Sequence, residues 1–382
     1  MSETGRGVSL IEHFADLKDP RREHGREHKL IDILVIAILA VICGANDFVG
    51  MEEFGRAKQG WLKTFLELAN GIPSHDTFGR VLAKLKPGQF RRCFSRWVRA
   101  VAALTAGETV AIDGKTLRRS YDRSGGQSAI ELVSAWAQTN RLTLGQVKVA
   151  ADSNEITAVP ELLRLLDVSG CIVTVDALNT QKAIAHQMRQ QRADYVCALK
   201  ENHPQMLAAV ADLCAAVKQG RTLNVVSSQW ETVDGDHGRI ETRRYLSVEA
   251  LDWLPGADQW PDLASVGMVE STREIGDQVT TEQRYYLSSL PVDARLLAHA
   301  VRGHWSIENS CHWVLDVVFG EDDSRVRTGH APENLGLLRR WVHSLLQQEH
   351  TAKVGIQNKR LKAAWDEQYL LKLLNLDSDQ QL

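Results

Sequence analysis

The sequence predicts an α/β protein in which a mixed sheet is flanked by helices. Short apolar stretches typical of buried strands, TVAIDGKT, CIVTVDA and DYVCALK, alternate with the helical stretches EITAVPELLRLLDVSG and QKAIAHQMRQQ. Two further strands are predicted in AIELVSAWAQTNRLTLGQVKVA, joined at Thr139-Asn140-Arg141. Strands that alternate with helices indicate a sheet with helices packed on its faces.

The composition is that of an ordinary folded protein without a global charge signal. Of its 382 residues, 44% are hydrophobic and 24% are charged, which suffices to bury a sizeable core in two or three domains. The 45 basic and 48 acidic residues give a net charge of −3, so a nucleic-acid surface would have to be a local basic patch. Six scattered cysteines without a CxxC pair predict reduced thiols and a cytoplasmic location.

Residues 1–105 are predicted to form a helical domain. The stretch LIDILVIAILAVICG is too short to cross a membrane and follows a long polar segment, unlike a signal peptide. We therefore predict a buried core helix there, and no membrane partner.

A second helical signal in this domain has two interpretations. Ser74 precedes a periodic apolar run that ends at Lys86-Pro87. Short helices at this position suit a DNA-binding helix-turn-helix. They equally suit an ordinary helical hairpin with solvated Arg80 and Lys84, and the sequence leaves both interpretations open.

The rest of the chain divides into four segments. Residues 106–202 carry the predicted α/β sheet. Over residues 203–291, alternating stretches such as RIETRRYLSV, LASVGMVESTREI and EQRYYLSSL predict a β-rich insertion with an antiparallel sheet. Helices are predicted again over 292–345, and residues 346–382, rich in Lys, Gln and Asp, are predicted to form a polar tail.

Two aspartates lie where predicted strands end. Asp113 comes at a predicted Asp-Gly turn after TVAI, and Asp176 follows CIVTV. Side chains at the carboxyl ends of central strands converge on one crevice of an open α/β sheet, so the two can meet. Taken singly, each is more commonly a turn or cap residue.

Glu308, in the stretch HWSIENSCHW, is a candidate third acid. On one helix spanning 293–319, Leu297, Val301, His304, Glu308, Cys311, Leu315 and Val318 would share one stripe. A lone carboxylate on an apolar face needs a cation, a hydrogen-bond partner or neutralisation. Glu321 and Asp322 are the next candidates for the third acid.

Three carboxylates suit Mg²⁺ or Mn²⁺, since hard cations prefer oxygen ligands. Two such ions can activate an attacking hydroxyl and stabilise the leaving oxygen in phosphodiester cleavage. A zinc site at His304, Cys311 and His312 is the competing interpretation, but the spacing matches no finger or ribbon. His304 and His312 are otherwise predicted either to support Glu308 or to fill packing roles, and the two tryptophans and Cys311 to pack in the core.

Several motifs together resemble one protein family over residues 9–345. They are AIDGKTLRRS, VTVDALNTQKAIAHQM, ADYVCALKENHP, HGRIETRRY and VRGHWSIENSCHWVLDVVFGEDDSRVRTGHAPENLGLLRR, preceded by FADLKDPRREHGREHKLIDILVIAILAVICGANDF. The chain is thereby similar to the H-repeat-associated transposases of the ISAs group of bacterial insertion sequences.

The resemblance implies a ribonuclease H-like core whose catalytic and metal-binding acids are Asp113, Asp176 and Glu308. It also implies cleavage and strand transfer of double-stranded DNA, an N-terminal helical domain, and a homodimer in the DNA complex. Related transposases often carry a tyrosine and an arginine before the glutamate and a lysine after it. Here Val301, His304 and Leu315 occupy those positions, so roles tied to that signature are not implied.

DNA contacts are predicted from local basic residues, because phosphates need positive charge to approach a carboxylate site. The candidates are Lys115, Arg118, Arg119, Lys182, Lys200, Arg239, Arg243, Arg244, Arg325 and Arg327. For each, a solvated surface charge is the alternative. Two other functions also remain open: an inactive or domesticated DNA-binding protein, and a stand-alone Mg²⁺-dependent nuclease.

Overall fold

The computed structural model describes residues 10–121, 126, 128–221, 224–236 and 238–374, and within them one mixed sheet has nine strands. The strands are β1 (Thr109–Thr116), β2 (Glu131–Ala137), β3 (Leu142–Lys148), β4 (Ile172–Val175), β5 (Asp194–Leu199), β6 (Ser227–Asp236), β7 (Arg239–Glu249), β8 (Ser265–Ile275) and β9 (Gln278–Ser288). Their order is β3-β2-β1-β4-β5-β9-β8-β7-β6, with β1, β4 and β5 parallel and the other pairs antiparallel. The predicted α/β architecture is confirmed.

The β-rich segment continues the sheet of the preceding segment. Strand β9 pairs with β5, from Val196 opposite Ser288 to Leu199 opposite Tyr285. Strands β7, β8 and β9 match the predicted alternating stretches, whereas β6 was not predicted. The division of the chain into domains stays a prediction.

Strand β1 differs from the prediction at Asp113-Gly114, which was expected to form a turn. The strand instead runs on to Thr116, because β2 pairs with it along that whole length. Its parallel partner β4 pairs only as far as Ile112. Asp113 therefore lies inside a strand, at the point where one neighbouring strand ends.

Five helices precede the sheet in the described part of the chain: α1 (Leu30–Ile42), α2 (Phe48–Ala57), α3 (Gln59–Leu62), α4 (His75–Lys84) and α5 (Pro87–Val101). Helix α1 is buried from Asp32 to Ile42, as predicted for a core helix. Helix α4 begins after Ser74, and α5 begins with a proline, whose fixed φ suits the first helical turn. In the residues described, we find no helix with the length and apolar character needed to span a bilayer.

Helices α6 (Glu155–Leu165), α7 (Lys182–Gln190), α8 (Pro204–Lys218) and α9 (Ala294–Ile307) pack on the sheet. Helix α9 lies across β1, β4 and β7. At its closest approach, Gly303 faces Thr109 at the start of β1: a Cβ at Gly303 would lie 2.5 Å from Thr109 Cγ2 and 2.8 Å from its Cβ. The missing side chain therefore sets the distance between α9 and the sheet.

Beyond α9 the helix changes its winding. A π-helical segment (Glu308–His312) leads into α10 (Trp313–Val317), so the single regular helix predicted over 293–319 is interrupted. A π turn contains more residues than an α turn, yet Cys311 and Leu315 of the predicted stripe are both buried.

The segment predicted as a polar tail folds into helices as far as it is described. After α11 (Ala331–Gln348) come α12 (Ile356–Trp365) and α13 (Glu367–Leu373). Leu370 and Leu373 are buried in the main core. The polar composition of the segment did not predict these helices, because a few apolar side chains suffice to dock a short helix on an existing core.

Glu349, between α11 and α12, organises this C-terminal segment. Its carboxylate accepts hydrogen bonds from Thr351 N at 2.8 Å, Ala352 N at 3.1 Å and Tyr369 Oη at 3.0 Å. Burial raises the pKa of Glu349, but these hydrogen bonds outweigh burial and lower it to about 2.

We expect the Gly303→Ala variant to unfold at lower denaturant concentration than the wild type. The new methyl group would collide with Thr109, and over-packing of this kind costs about 1–3 kcal/mol. The matched control is Gly60→Ala in α3, where an added Cβ meets no atom within 4 Å. Equal midpoints for the wild type and Gly303→Ala would contradict the close approach.

Glu349→Gln is expected to lower the free energy of unfolding at pH 7 by about 1–3 kcal/mol, since buried donors lose a charged acceptor. A lowered pKa makes the carboxylate stabilising above its unfolded value of 4.5, and this stabilisation is lost as the pH falls towards 2. The difference between wild type and variant in chemical denaturation should therefore shrink from pH 7 to pH 3. Glu367→Gln, which removes a partly exposed ion pair with Lys58, is the control.

Candidate active site

Asp113 and Asp176 lie side by side at the end of the parallel pairing. The last paired residues of β1 and β4 are Ile112 and Val175, and each is followed directly by one of the aspartates. Both aspartates line a cavity of about 240 Å³ together with Glu308. We call this the acid cavity. The three acids predicted from widely separated parts of the sequence thus face one space.

Glu308 reaches the acid cavity from the first residue of the π-helical segment. The sequence predicted it on an apolar, buried stripe, but its side chain is exposed to the solvent of the cavity. Glu321, the alternative candidate for the third acid, is fully buried and pairs with the Arg340 guanidinium at 2.9 Å. Among these acids, Glu308 is the one that faces the two aspartates.

The acids repel one another. Burial, and then the charges of Asp176 and Glu308, raise the pKa of Asp113 to about 7. Asp176 is held in place by Asn179, whose backbone N and Nδ2 donate to Asp176 Oδ1 at 3.0 and 2.9 Å. Clustered carboxylates of this kind match the oxygen donors that a hard divalent cation takes, and its charge would offset their repulsion.

The described residues do not form a closed metal site, meaning a group of three or more ligand side chains already close enough to hold an ion. Nowhere in the described ranges do three His, Cys, Asp or Glu side chains come close enough together to hold a metal ion. Cys311 is buried with its Sγ 3.9 Å from Thr143 Oγ1, and His304 Nδ1 lies 3.0 Å from Thr174 Oγ1. The zinc site considered for His304, Cys311 and His312 is therefore absent from this part of the chain.

Two histidines flank the aspartates. His304 bonds to Thr174 on β4, two residues before Asp176, and His312 Nδ1 lies 3.5 Å from Asp113 Oδ2. Burial lowers the pKa of His304 to about 4 and that of His312 to about 3. Both rings are therefore neutral at pH 7 and can each donate or accept a hydrogen bond.

The aromatic residues of this helix do not all pack in the core as predicted. Cys311 is fully buried, but Trp313 is 57% exposed. Trp305 is half-buried, and the Arg284 guanidinium lies 4.3 Å from its ring centroid. Trp313 lies on the solvent side of the helix, between the buried residues Cys311 and Val314.

A second acidic pair beside the cavity was missed by the sequence analysis. Asn179 Nδ2 donates to Glu155 Oε2 at 2.9 Å as well as to Asp176. Burial, and then a hydrogen bond with Glu131, raise the pKa of Glu155 to about 8. Gly114 leaves room for Glu155, which would collide with any side chain at that position. The only sequence signal was the glycine after Asp113, which had been assigned to a turn.

The structure corrects the prediction for Lys115. Its side chain is 8% exposed, and Nζ lies 2.6 Å from Asp316 Oδ1 and 3.3 Å from Asp322 Oδ1. Burial between these carboxylates keeps Lys115 from DNA phosphates. Arg118 and Arg119 also pair with acids, Asp322 and Asp323, both at 3.2 Å, but they stay largely exposed.

Four of the other predicted DNA contacts lie in three places. Lys200 lines the acid cavity, and Lys182 donates to Gln259 on the surface. Arg239 and Arg243 line a neighbouring groove on β7, β8 and β9. The sequence analysis missed Arg284, which lines both spaces.

Comparisons with known proteins identify the family of the chain. Residues 11–98 match the family described as DDE_Tnp_1-associated, and residues 105–345 match the family described as Transposase DDE domain. The chain is 37% identical over 374 residues to "Putative transposase YncI" of Escherichia coli O157:H7, covering 96% of this chain and 94% of that protein. It is 37% identical over 370 residues to "H repeat-associated putative transposase YhhI" of Escherichia coli (strain K12), covering 96% and 97%.

A shorter relative carries a different description. "Inactive transposase YbfQ" of Escherichia coli (strain K12) is 42% identical over 77 residues, which cover 20% of this chain and 92% of that protein. The resemblance seen in the sequence motifs is confirmed by the longer matches: this chain belongs to the DDE-domain transposases and is related to the H-repeat-associated proteins among them.

Proposed function

We propose that this transposase cleaves DNA at the ends of an insertion sequence and joins them to target DNA, with Asp113, Asp176 and Glu308 as its catalytic acids. One observation carries the proposal: two aspartates follow the last paired residues of β1 and β4 and share a cavity with Glu308. Their mutual repulsion supports a site built for a cation.

Mg²⁺ or Mn²⁺ would be held by Asp113, Asp176 and Glu308, which line the acid cavity. When bound, such ions lower the pKa of an attacking water and stabilise the leaving oxygen. The chain's own groups prepare the site: Asn179 fixes Asp176, and His312 lies against Asp113. We propose these as positioning residues, together with His304.

Both reactions are in-line displacements at phosphorus. In the first, a water oxygen forms a bond to the phosphorus at the element end, and the P–O3′ bond breaks to leave a 3′-OH. In the second, that 3′-OH attacks a target phosphodiester and displaces another 3′ oxygen. Neither step needs a nucleotide cofactor.

The remaining expectations from the resemblance form part of the proposal. The mixed sheet, with the two aspartates at its central parallel strands, is consistent with a ribonuclease H-like core. Arg80 and Lys84 on α4 line a groove of about 1130 Å³ together with Arg325 and Arg327, which supports DNA contact by an N-terminal helical domain. We further propose a cytoplasmic homodimer on double-stranded DNA.

A DNA-binding protein without turnover is the second candidate. It is favoured by the absence of a closed metal site in the described residues, and by the relative named as inactive. A stand-alone nuclease would share the site chemistry, but its gene would lack flanking inverted repeats.

Asp113→Asn is expected to abolish Mg²⁺-dependent nicking of supercoiled plasmid while leaving DNA binding intact, because the variant removes a carboxylate ligand and no basic residue. Asp176→Asn and Glu308→Gln should behave alike, with nicking at least about a hundredfold slower. Asp212→Asn, an exposed change on α8, is the control. Nicking that persists in all three acid variants would refute the assigned site, and wild-type protein that binds but never nicks would favour the DNA-binding candidate.

A further inference from the structure

We propose that a groove beside the acid cavity binds the phosphate backbone of the DNA strand that enters the site. The groove is lined by Arg239, Arg243, Arg273, Arg284 and Arg302, and we call it the arginine groove. The inference rests on the proposed function, since it assigns the path of its DNA substrate.

Strand alternation builds this groove from arginines of the HGRIETRR motif, for which the sequence predicted DNA contact but no path for the DNA. Arg239, Glu241 and Arg243 occur at every second position of β7 and line one face of the sheet. Arg244, the next residue, belongs to the opposite face, where it pairs with Glu231 at 2.7 Å and Glu270 at 3.6 Å. The arginines of one short motif thus serve two different surfaces.

The arginine groove runs into the acid cavity. It has a volume of about 480 Å³, and five residues line both spaces: Arg284, Tyr286, Val301, Trp305 and Glu308. A strand lying in the groove would therefore meet Glu308 and then the two aspartates without leaving the protein surface.

The groove keeps an excess of positive charge. Its described lining contains five arginines against three glutamates, one of which is Glu308 itself. Glu241, buried at the floor, lies 3.8 Å from Arg239, 2.6 Å from Arg243 and 4.0 Å from Arg273. Arg243 has a second partner in Asp234, whereas Arg239 and Arg273 share Glu241 at longer distances, so their positive charge is available to attract a phosphate.

The arginines differ in their freedom to bind. Arg243 is 14% exposed and fixed between Asp234 and Glu241, which suits a supporting role. Arg239 and Arg273 are 47% and 50% exposed and touch Glu241 only at the limit of an ion pair. Their guanidinium groups present free donors, and guanidinium binds phosphate in bidentate fashion.

Arg284 stands at the junction of the two spaces. Glu282 fixes its guanidinium at 2.8 and 3.0 Å, and the ring of Trp305 lies beneath it. A cation stacked on an indole ring loses little further freedom on binding. Arg284 is therefore placed to hold the phosphate next to the cleaved bond, and we assign it as a positioning residue.

The test measures binding of a fluorescein-labelled random-sequence DNA duplex in EDTA, in the Asp113→Asn background, over a range of salt concentrations. Removing both Arg239 and Arg273 as glutamine variants should lower the slope of log K against log salt by about two, because each lost phosphate contact removes about 0.9. Arg284→Gln should lower it by about one.

Arg244→Gln, from the same strand but the opposite face, is the matched control and should leave the slope unchanged. The double lysine variant of Arg239 and Arg273 keeps the charges and should restore most of the slope. This control distinguishes the loss of phosphate contacts from a loss of folding. An unchanged slope in the double glutamine variant, or an equal loss in Arg244→Gln, would overturn the proposal. Because the readout needs no cleavage, failure of the proposed catalysis would leave this result interpretable.

Discussion

The close packing of α9 against β1 and β4 is the constraint on which the site depends. Gly303 allows the helix to touch the start of β1, and His304 joins it to Thr174 on β4. The helix thereby carries Glu308 to the two aspartates, and its other residues form one wall of the arginine groove. The position of one helix thus fixes the relation between the acid cavity and the arginine groove.

Charge in this protein is separated locally rather than globally. The net charge of −3 conceals an acid cavity directly beside an arginine-rich groove. Separation at this range matters because water and salt screen charges over about 10 Å. Basic residues that are already paired, such as Lys115 with Asp316, instead join the end of β1 to α10.

Sequence patterns predicted the helices and strands that depend on local periodicity. They missed the features that depend on contacts between distant parts of the chain. The buried helix α1 and the strands carrying Asp113 and Asp176 followed from hydrophobic periodicity. The continuation of β1 past Asp113-Gly114 depends on β2, and the burial of Lys115 depends on acids about two hundred residues away. Arg284 could have been found from the alternation of β9, but its proximity to Glu308 required the fold.

The π-helical segment has a consequence for how gene copies decay. Deleting one codon between Glu308 and His312 would restore regular α-helical winding and turn the two ends of the helix relative to each other by about 100°. The packing of Gly303 on one side and Cys311 on the other would then compete to set the position of the helix that carries Glu308. Such a copy would retain all three acids in its reading frame. Under the proposed catalytic assignment, an active copy must therefore keep the spacing between Glu308 and His312 as well as the acids themselves.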